Sequence, residues 1–306
     1  MANAKTYFAD LFAISKKTAK AWMEDDPFRQ SAVVAYYAVF SIPALLVIII
    51  ALAGLAFGQE AVQGEISSQI KIALGAETAK SVEGIIATAS KEKTSIIATI
   101  IGFVTLILGS TGVFVQLQQS LNQIWDVKVV SKKKFLKTIK TRLFSFGLVL
   151  SIGFLMLISL LLTTGLEAFS GLIKNMLPDF MLYVFQFLNF IISFGIITVL
   201  FALIFKILPD AKIRLTDVWI GAFVTTLLFM LGKFALGIYF AKADPGSAYG
   251  AAGSVVLIML WVSYSCMILF FGAEFTKQYA IFHGHKIEPT KESEIINTEA
   301  EREQEK

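Results

Sequence analysis

The chain has 306 residues, of which 56% are hydrophobic and only 16% charged, with a mean hydropathy of +0.70. That balance lies well outside ordinary globular domains and excludes a soluble fold. The net charge of +4 is small, so its distribution along the chain says more than its size.

Residues 1–30 precede the first long apolar stretch and carry Lys5, Lys16, Lys17, Lys20 and Arg29. Phe8, Leu11, Phe12, Ser15, Ala19 and Trp22 fall on one helical stripe, which predicts an amphipathic helix along the inner leaflet. A partner-docking helix is the alternative. The segment lacks an apolar core followed by a small-residue cleavage site, so no secretory signal is expected. Glu24, Asp25 and Asp26, followed by Pro27, read as a boundary between helices.

Six long apolar stretches follow: Ser31–Phe57, Thr94–Leu117, Leu143–Leu166, Met181–Phe205, Val218–Phe240 and Gly250–Lys277. Each reaches the roughly 20 residues that cross a bilayer as a helix. In hydrocarbon the backbone must satisfy itself, which selects helices for these runs. Pro43 lies within the first stretch and removes a backbone donor there, which predicts a kink. In the long first connection Ile66, Ile70 and Leu74 recur at helical spacing, as do Val82, Ile85 and Ile86. Two short amphipathic helices on the outer face are predicted. The fold expected is an all-α polytopic membrane protein, with residues 31–280 as a six-helix domain.

Lysine and arginine near span ends mark the cytoplasmic side. The second connection carries Lys128, Lys132, Lys133, Lys134, Lys137, Lys140 and Arg142, and the fourth carries Lys206, Lys212 and Arg214. The third and fifth have only Lys174 and Lys242. Both termini are therefore placed inside, and the basic run over 128–142 is expected to contact anionic lipid. Lys71, Lys80, Lys91 and Lys93 dissent mildly on the first connection, diluted by five glutamates. Residues 281–306 form a cytoplasmic tail, and beyond Ile287 its Lys/Glu/Gln/Thr-rich composition reads as disordered.

Ionisable residues inside spans are costly and are candidates for function. Lys233 falls about 22 Å from the inner surface at helical rise, in the outer half of the bilayer. It either lines an outward-facing cavity or snorkels to the interface. Glu274 lies near the inner end of the sixth stretch, with Lys206, Arg214 or Arg142 as expected partners. It reads as a structural ion pair, or as a gate or proton-coupled carboxylate. Gln118 and Asn122 share one helix face, as do Gln116 and Gln119; Gln186, Asn189 and Ser193 form a polar stripe. Such groups join helices or line a path. Gly109, Gly112, Gly232, Gly237 and the Gly250–Ser254 run would permit close backbone approach.

Other chemistries have no constellation to rest on. His283 and His285 are too few for a metal site, Cys266 is the only cysteine, and no phosphate loop, nucleophile elbow or metal-hydrolase motif occurs. No catalytic residues, cofactor, metal or nucleic-acid partner are expected. Homo-oligomerisation stays open.

Several stretches resemble the YihY/BrkB family of bacterial membrane proteins: Ala35–Pro43, Leu117–Trp125, Leu208-Pro209-Asp210, Asp217–Ala222, Tyr249–Ser254 and Gly272–Thr276. They extend in order from the first stretch to the last. The resemblance implies a multi-pass protein of the bacterial cytoplasmic membrane, linked to envelope integrity and, in one branch, to lipid export. An older label for the family, a transfer-RNA-processing ribonuclease, finds no support in these residues.

The function expected is transport of a lipid or other amphiphilic or anionic envelope metabolite. Lys233 would attract the charged group, Tyr36, Tyr37, Gln118, Asn122 and Asn189 would line the path, and Glu274, Arg214 and Asp210 would close its inner end. The alternative is a non-transporting scaffold. An enzyme is not expected.

Overall fold

The structure is a computed structural model that describes residues 4–74, 79–80, 82–84, 111–129, 179–243, 245, 247–290 and 293–295. These residues are mostly helical. In chain order they form α1 (Ala4–Glu24), α2 (Pro27–Phe57), α3 (Gln59–Leu74), α4 (residues 111–124), β1 (Val127–Val129), α5 (Asp179–Ile207), β2 (Ala211–Lys212) and α6 (Leu215–Ala243). A 3-10 turn (Ser247–Ala252) then leads into α7 (Gly253–Phe282), followed by β3 (Glu288–Pro289) and β4 (Ser293–Ile295).

Among the described residues three segments are long and apolar enough to cross a membrane: Phe190–Ile207, Leu215–Phe240 and Gly253–Phe282. They match the fourth, fifth and sixth predicted stretches. The first stretch coincides with α2, which runs unbroken through Pro43. Of the second only residues 111–117 are described. The third, Leu143–Leu166, lies outside the described residues, as do Arg142 and most of the basic run.

α7 is the centre of the bundle and packs against α1, α2 and α6. Its crossing with α6 depends on a shared Gly-Ala-x-x-Thr pattern, Gly221-Ala222-Phe223-Val224-Thr225 on α6 and Gly272-Ala273-Glu274-Phe275-Thr276 on α7. A Cβ added at Gly221 would lie 2.9 Å from Thr276 Cβ, and one at Gly272 would lie 2.8 Å from Thr225 Cβ. Each threonine thus occupies the space the opposite glycine leaves. Each also donates its hydroxyl to the carbonyl of its own motif's glycine, Thr225 to Gly221 at 2.6 Å and Thr276 to Gly272 at 2.8 Å. With no lipid-inserted driving force between helices, this close approach and internal satisfaction is what joins them. Ala222, Ala273, Thr225 and Thr276 are all fully buried.

α1 packs on α7. Ile14, Thr18 and Asp25 are buried, with Trp22 half-buried, so this stripe docks on α7. Thr18 can be buried because it donates to the Ile14 carbonyl at 2.9 Å. Phe12, placed in the apolar stripe by its spacing, is 73% exposed. The docking stripe is rotated from the predicted one because a self-satisfied threonine reads as polar in a sequence. α3 is the first of the two helices expected in the connection after the first stretch: Val62, Ile66 and Ile70 pack with Leu46 and Ile50 of α2 and Ile258 of α7. Gly58, at φ 85°, supplies the left-handed turn between α2 and α3. Residues 79–80 and 82–84 are helical with Val82 buried in the same cluster; Ile85 and Ile86 lie outside the described residues.

The tail is more ordered than its composition suggests. β3 pairs antiparallel with β2, Ala211 opposite Pro289 and Lys212 opposite Glu288. β4 pairs antiparallel with β1, Val127 opposite Ile295 and Val129 opposite Ser293. Residues 283–290 and 293–295 therefore form a strap across the end that the lysine pattern assigns to the cytoplasm.

Candidate functional site

The polar residues singled out by sequence separate into three groups at the end of the bundle that carries the strap. The first is a clamp on Asp210. Gln118 and Asn122, one turn apart on α4, each donate to Asp210 Oδ2 at 3.0 Å. Asp210 returns its backbone N–H to Asn122 Oδ1 at 2.8 Å. The amide side chain of Asn122 serves both roles at once, donating from Nδ2 and accepting at Oδ1. The Asp210 carbonyl accepts from the Thr290 N–H at 3.0 Å and the Ser293 hydroxyl at 2.8 Å. One loop residue thus joins α4, the α5–α6 loop and the strap.

The second group surrounds Glu274, which is fully buried. Its Oε1 accepts from Gln278 Nε2 at 2.7 Å, while Oε2 has no hydrogen-bond partner among the described residues. Lys277, one turn on, donates instead to Asp126 Oδ2 at 2.6 Å and to the Ile124 carbonyl at 2.7 Å. Trp125 Nε1 donates to the Ala273 carbonyl at 3.1 Å, which seats the end of α4 on α7. Asp126 has a left-handed backbone, φ 54°, turning the chain from α4 into β1. Asp25, from the α1–α2 corner, and Asp126 both lie within electrostatic range of Glu274.

The third group is Arg214, His285 and Asp217. Arg214 Nη1 lies 2.8 Å from His285 Nε2, and His285 Nδ1 lies 2.9 Å from Asp217 Oδ2. Guanidinium only donates, so Nε2 accepts and Nδ1–H donates to the buried Asp217 carboxylate. The strap is thereby tied to the start of α6.

These contacts revise the expected inner gate. The contacts described place Glu274, Arg214 and Asp210 in three separate groups. Lys206 donates to the Ile213 carbonyl and Arg214 to His285, so neither pairs with Glu274. The predicted path residues also disperse. Tyr36 is exposed, edge-on to Tyr37 and Phe40. Tyr37 is half-buried against Gly112 of α4. The side chain of Asn189 lies outside the described residues, and Lys233 is exposed. Participants not read as such from the sequence include Asp25, Asp126, Asp217, Lys277, Gln278 and His285. For Lys277 a signal existed, since a lysine three residues after Glu274 shares its helix face.

Higher on the same helices, α5 and α6 leave an apolar groove lined by Ile192, Phe194, Gly195, Thr198, Trp219 and Phe223 among others. Thr198 donates to Thr226 at 3.1 Å and fixes the antiparallel register of the two helices.

The sequence profile of the family described as virulence factor BrkB matches residues 18–295. The chain belongs to that family. The matched region takes in the Asp210 clamp, Glu274 and its neighbours, and all of the strap described here. Among BrkB relatives, a UPF0761 membrane protein of Tolumonas auensis is 28% identical over 180 residues, covering 58% of this chain and 56% of the relative. One of Verminephrobacter eiseniae is 26% identical over 178 residues, 57% of this chain and 40% of the relative. One of Coxiella burnetii is 36% identical over 93 residues, 30% and 33% of the two chains. The alignments thus span about half the length, or less, of these curated relatives. No solved structure matches the chain.

Proposed function

We propose that this BrkB-family protein crosses a bacterial cytoplasmic membrane six times, both ends inside, and moves an anionic amphiphile such as a phospholipid without chemically altering it. The observation that carries this reading is the α5–α6 groove and its relation to Lys233. The groove is apolar and suits an acyl chain. Lys233 lies ten residues beyond Phe223 on α6, about 15 Å at helical rise. By helical spacing it falls on the side of α6 that carries Trp219. An ammonium there would hold an anionic headgroup while the groove below takes the tail. The backbone of Asn189 lies towards the same end of the helix pair, since Asn189 and Lys233 are nine and seven residues from the Thr198–Thr226 contact.

The test is translocation of a labelled anionic phospholipid in proteoliposomes, with two variants. Lys233→Ala removes the headgroup contact from an exposed site. Gly195→Leu fills the groove, and a Cβ there meets no atom within 4 Å, so folding should survive. Flux above protein-free vesicles, lowered at least tenfold by either change, supports the proposal. Flux no greater than in protein-free vesicles would sink it.

The scaffold reading draws on a different observation, the inner end tied across three segments by Asp210. A scaffold would tolerate Lys233→Ala and Gly195→Leu yet fail on loss of residues 287–306.

A further inference from the structure

α1 docks with one stripe and leaves a second one exposed. Ile14, Thr18 and Asp25 are buried and Trp22 is half-buried, at spacings of three and four that put them on one side of the helix. Phe12, Ala19 and Met23 are exposed, seven and four residues apart on a second side. Lys16, Lys17 and Lys20, also exposed, take the third side, with Lys16 bordering the apolar one. Lys20 stands 3.9 Å from Glu24 in a loose surface pair, which leaves its ammonium in water. A helix that needed only its contact with α7 would be polar over the rest of its surface. This one keeps a phenylalanine at 73% and a methionine at 55% exposure.

Exposure of that degree recurs on α6, where Leu231 and Phe234 are 61% and 72% exposed within a segment long and apolar enough to cross a membrane. The same cover is at hand for α1. It packs on α7 rather than alongside α2. At their junction the left-handed Asp26, φ 53°, and Pro27, which opens α2, turn the chain. Trp22 lies edge-on to Phe271 at 5.9 Å and 6.0 Å from Phe28, an exposed residue at the start of α2. Glu24, Asp26 and Arg29 are exposed at the same junction. Aromatic rings and charged groups gathered at one helix end mark the boundary between acyl chains and water. A helix that leaves this boundary with one side apolar and the next cationic has the pattern of one lying in it.

We propose that the exposed side of α1 is a docking surface for an anionic lipid leaflet, with Phe12, Ala19 and Met23 seated against acyl chains and Lys16, Lys17 and Lys20 against headgroup phosphates. The lysines choose the occupant. An apolar stripe alone would suit a protein partner, but a leaflet offers acyl carbon and phosphate side by side along the whole helix, in the order in which α1 presents its two sides. Long lysine stems reach from the one to the other, and each ammonium near such a surface adds to the attraction. α1 is thereby held from two directions, by α7 and by lipid. The docking rests on α1 alone and holds whether or not the protein moves a lipid.

The test uses the full chain in nanodiscs, with a fluorescent thiol label on Phe12→Cys, Met23→Cys or Lys17→Cys. All three sites are exposed, and Cys266 is buried, so wild type serves as the unlabelled blank. Two quenchers report the surroundings, a nitroxide carried on a lipid acyl chain and iodide in the water. Labels at positions 12 and 23 should be quenched by the nitroxide, and the label at 17 by iodide. At equal nitroxide content, phosphatidylglycerol should quench the label at 12 about twofold more than phosphatidylcholine. Replacing Lys16, Lys17 and Lys20 by glutamine should erase that difference. A label at 12 open to iodide, or shielded from both quenchers by a second copy or a protein partner, overturns the proposal. So does equal quenching by the two lipids, or a preference for phosphatidylglycerol that survives loss of the lysines.

Discussion

Thr276 of α7 fills the space above Gly221 of α6, and its hydroxyl is satisfied by the carbonyl of Gly272. Because Thr225 and Gly272 repeat the arrangement in reverse, the two helices are locked at two points rather than one. An alanine at 221 would meet Thr276 Oγ1 first and then Thr276 Cβ at 2.9 Å; a rotamer change can move the hydroxyl but not the Cβ.

Gly221→Ala should therefore destabilise the protein by about 1–3 kcal/mol, the usual range for overpacking. Gly221→Ala with Thr276→Gly should recover part of that loss, because the clashing Cβ is gone. Thermal unfolding in detergent as a double-mutant cycle reads the coupling. Simple additivity would show that the contact is not the source of the effect.

Asn122 uses both ends of its amide on Asp210. Asn122→Asp replaces the donor with a second carboxylate and should cost more than Asn122→Ala, which itself should cost about 1.5–3 kcal/mol for hydrogen bonds to a charged group. The exchange Asn122→Asp with Asp210→Asn restores a donor–acceptor pair and should rescue. Protection of the amides of residues 208–217 in hydrogen exchange is the measurement.

Lys277 is the cation for Asp126. Lys277→Met should destabilise by about 3–5 kcal/mol, as expected when one partner of a buried pair is removed. Asp126→Asn should cost less: asparagine tolerates the left-handed backbone at φ 54° and leaves a neutral acceptor for the lysine. Chemical denaturation of the two variants should rank them in that order, and the reverse order would mean that Asp126 does not hold the lysine.

The strap can be tested by trapping it. Lys128 stands opposite Glu294 in the β1–β4 register. Lys128→Cys with Glu294→Cys should form an intramolecular disulfide under mild oxidation, seen as a mobility shift on non-reducing gels, because buried Cys266 is the only native thiol. A tail free in solution would crosslink no faster than a pair placed one residue out of register.

Long elements were legible before any coordinates. α5, α6 and α7 follow from apolar runs that only a bilayer explains, and Val62, Ile66 and Ile70 of α3 follow from helical spacing. The shared face of Gln118 and Asn122 was legible too, but its target was not, since Asp210 lies 88 residues beyond Asn122. The strap was read as disordered because hydrophobic periodicity is blind to two- and three-residue strands held by partners elsewhere in the chain. The reciprocal glycine–threonine crossing escaped notice for a related reason. A threonine looks polar until its hydroxyl is seen returning to its own helix.

The strap also has a bearing on how the protein is made. β3 and β4 are translated after every helix described here, yet they complete edges set by β1 and β2 much earlier in the chain. Until residues 288–295 leave the ribosome, Val127–Val129 and Ala211–Lys212 present unpaired backbone, and Asp210 lacks two of its donors. Nascent chains cut short before this point would form their helices and still display raw strand edges. The strap would then act as a seal of completion, distinguishing finished molecules from fragments fit for proteolysis.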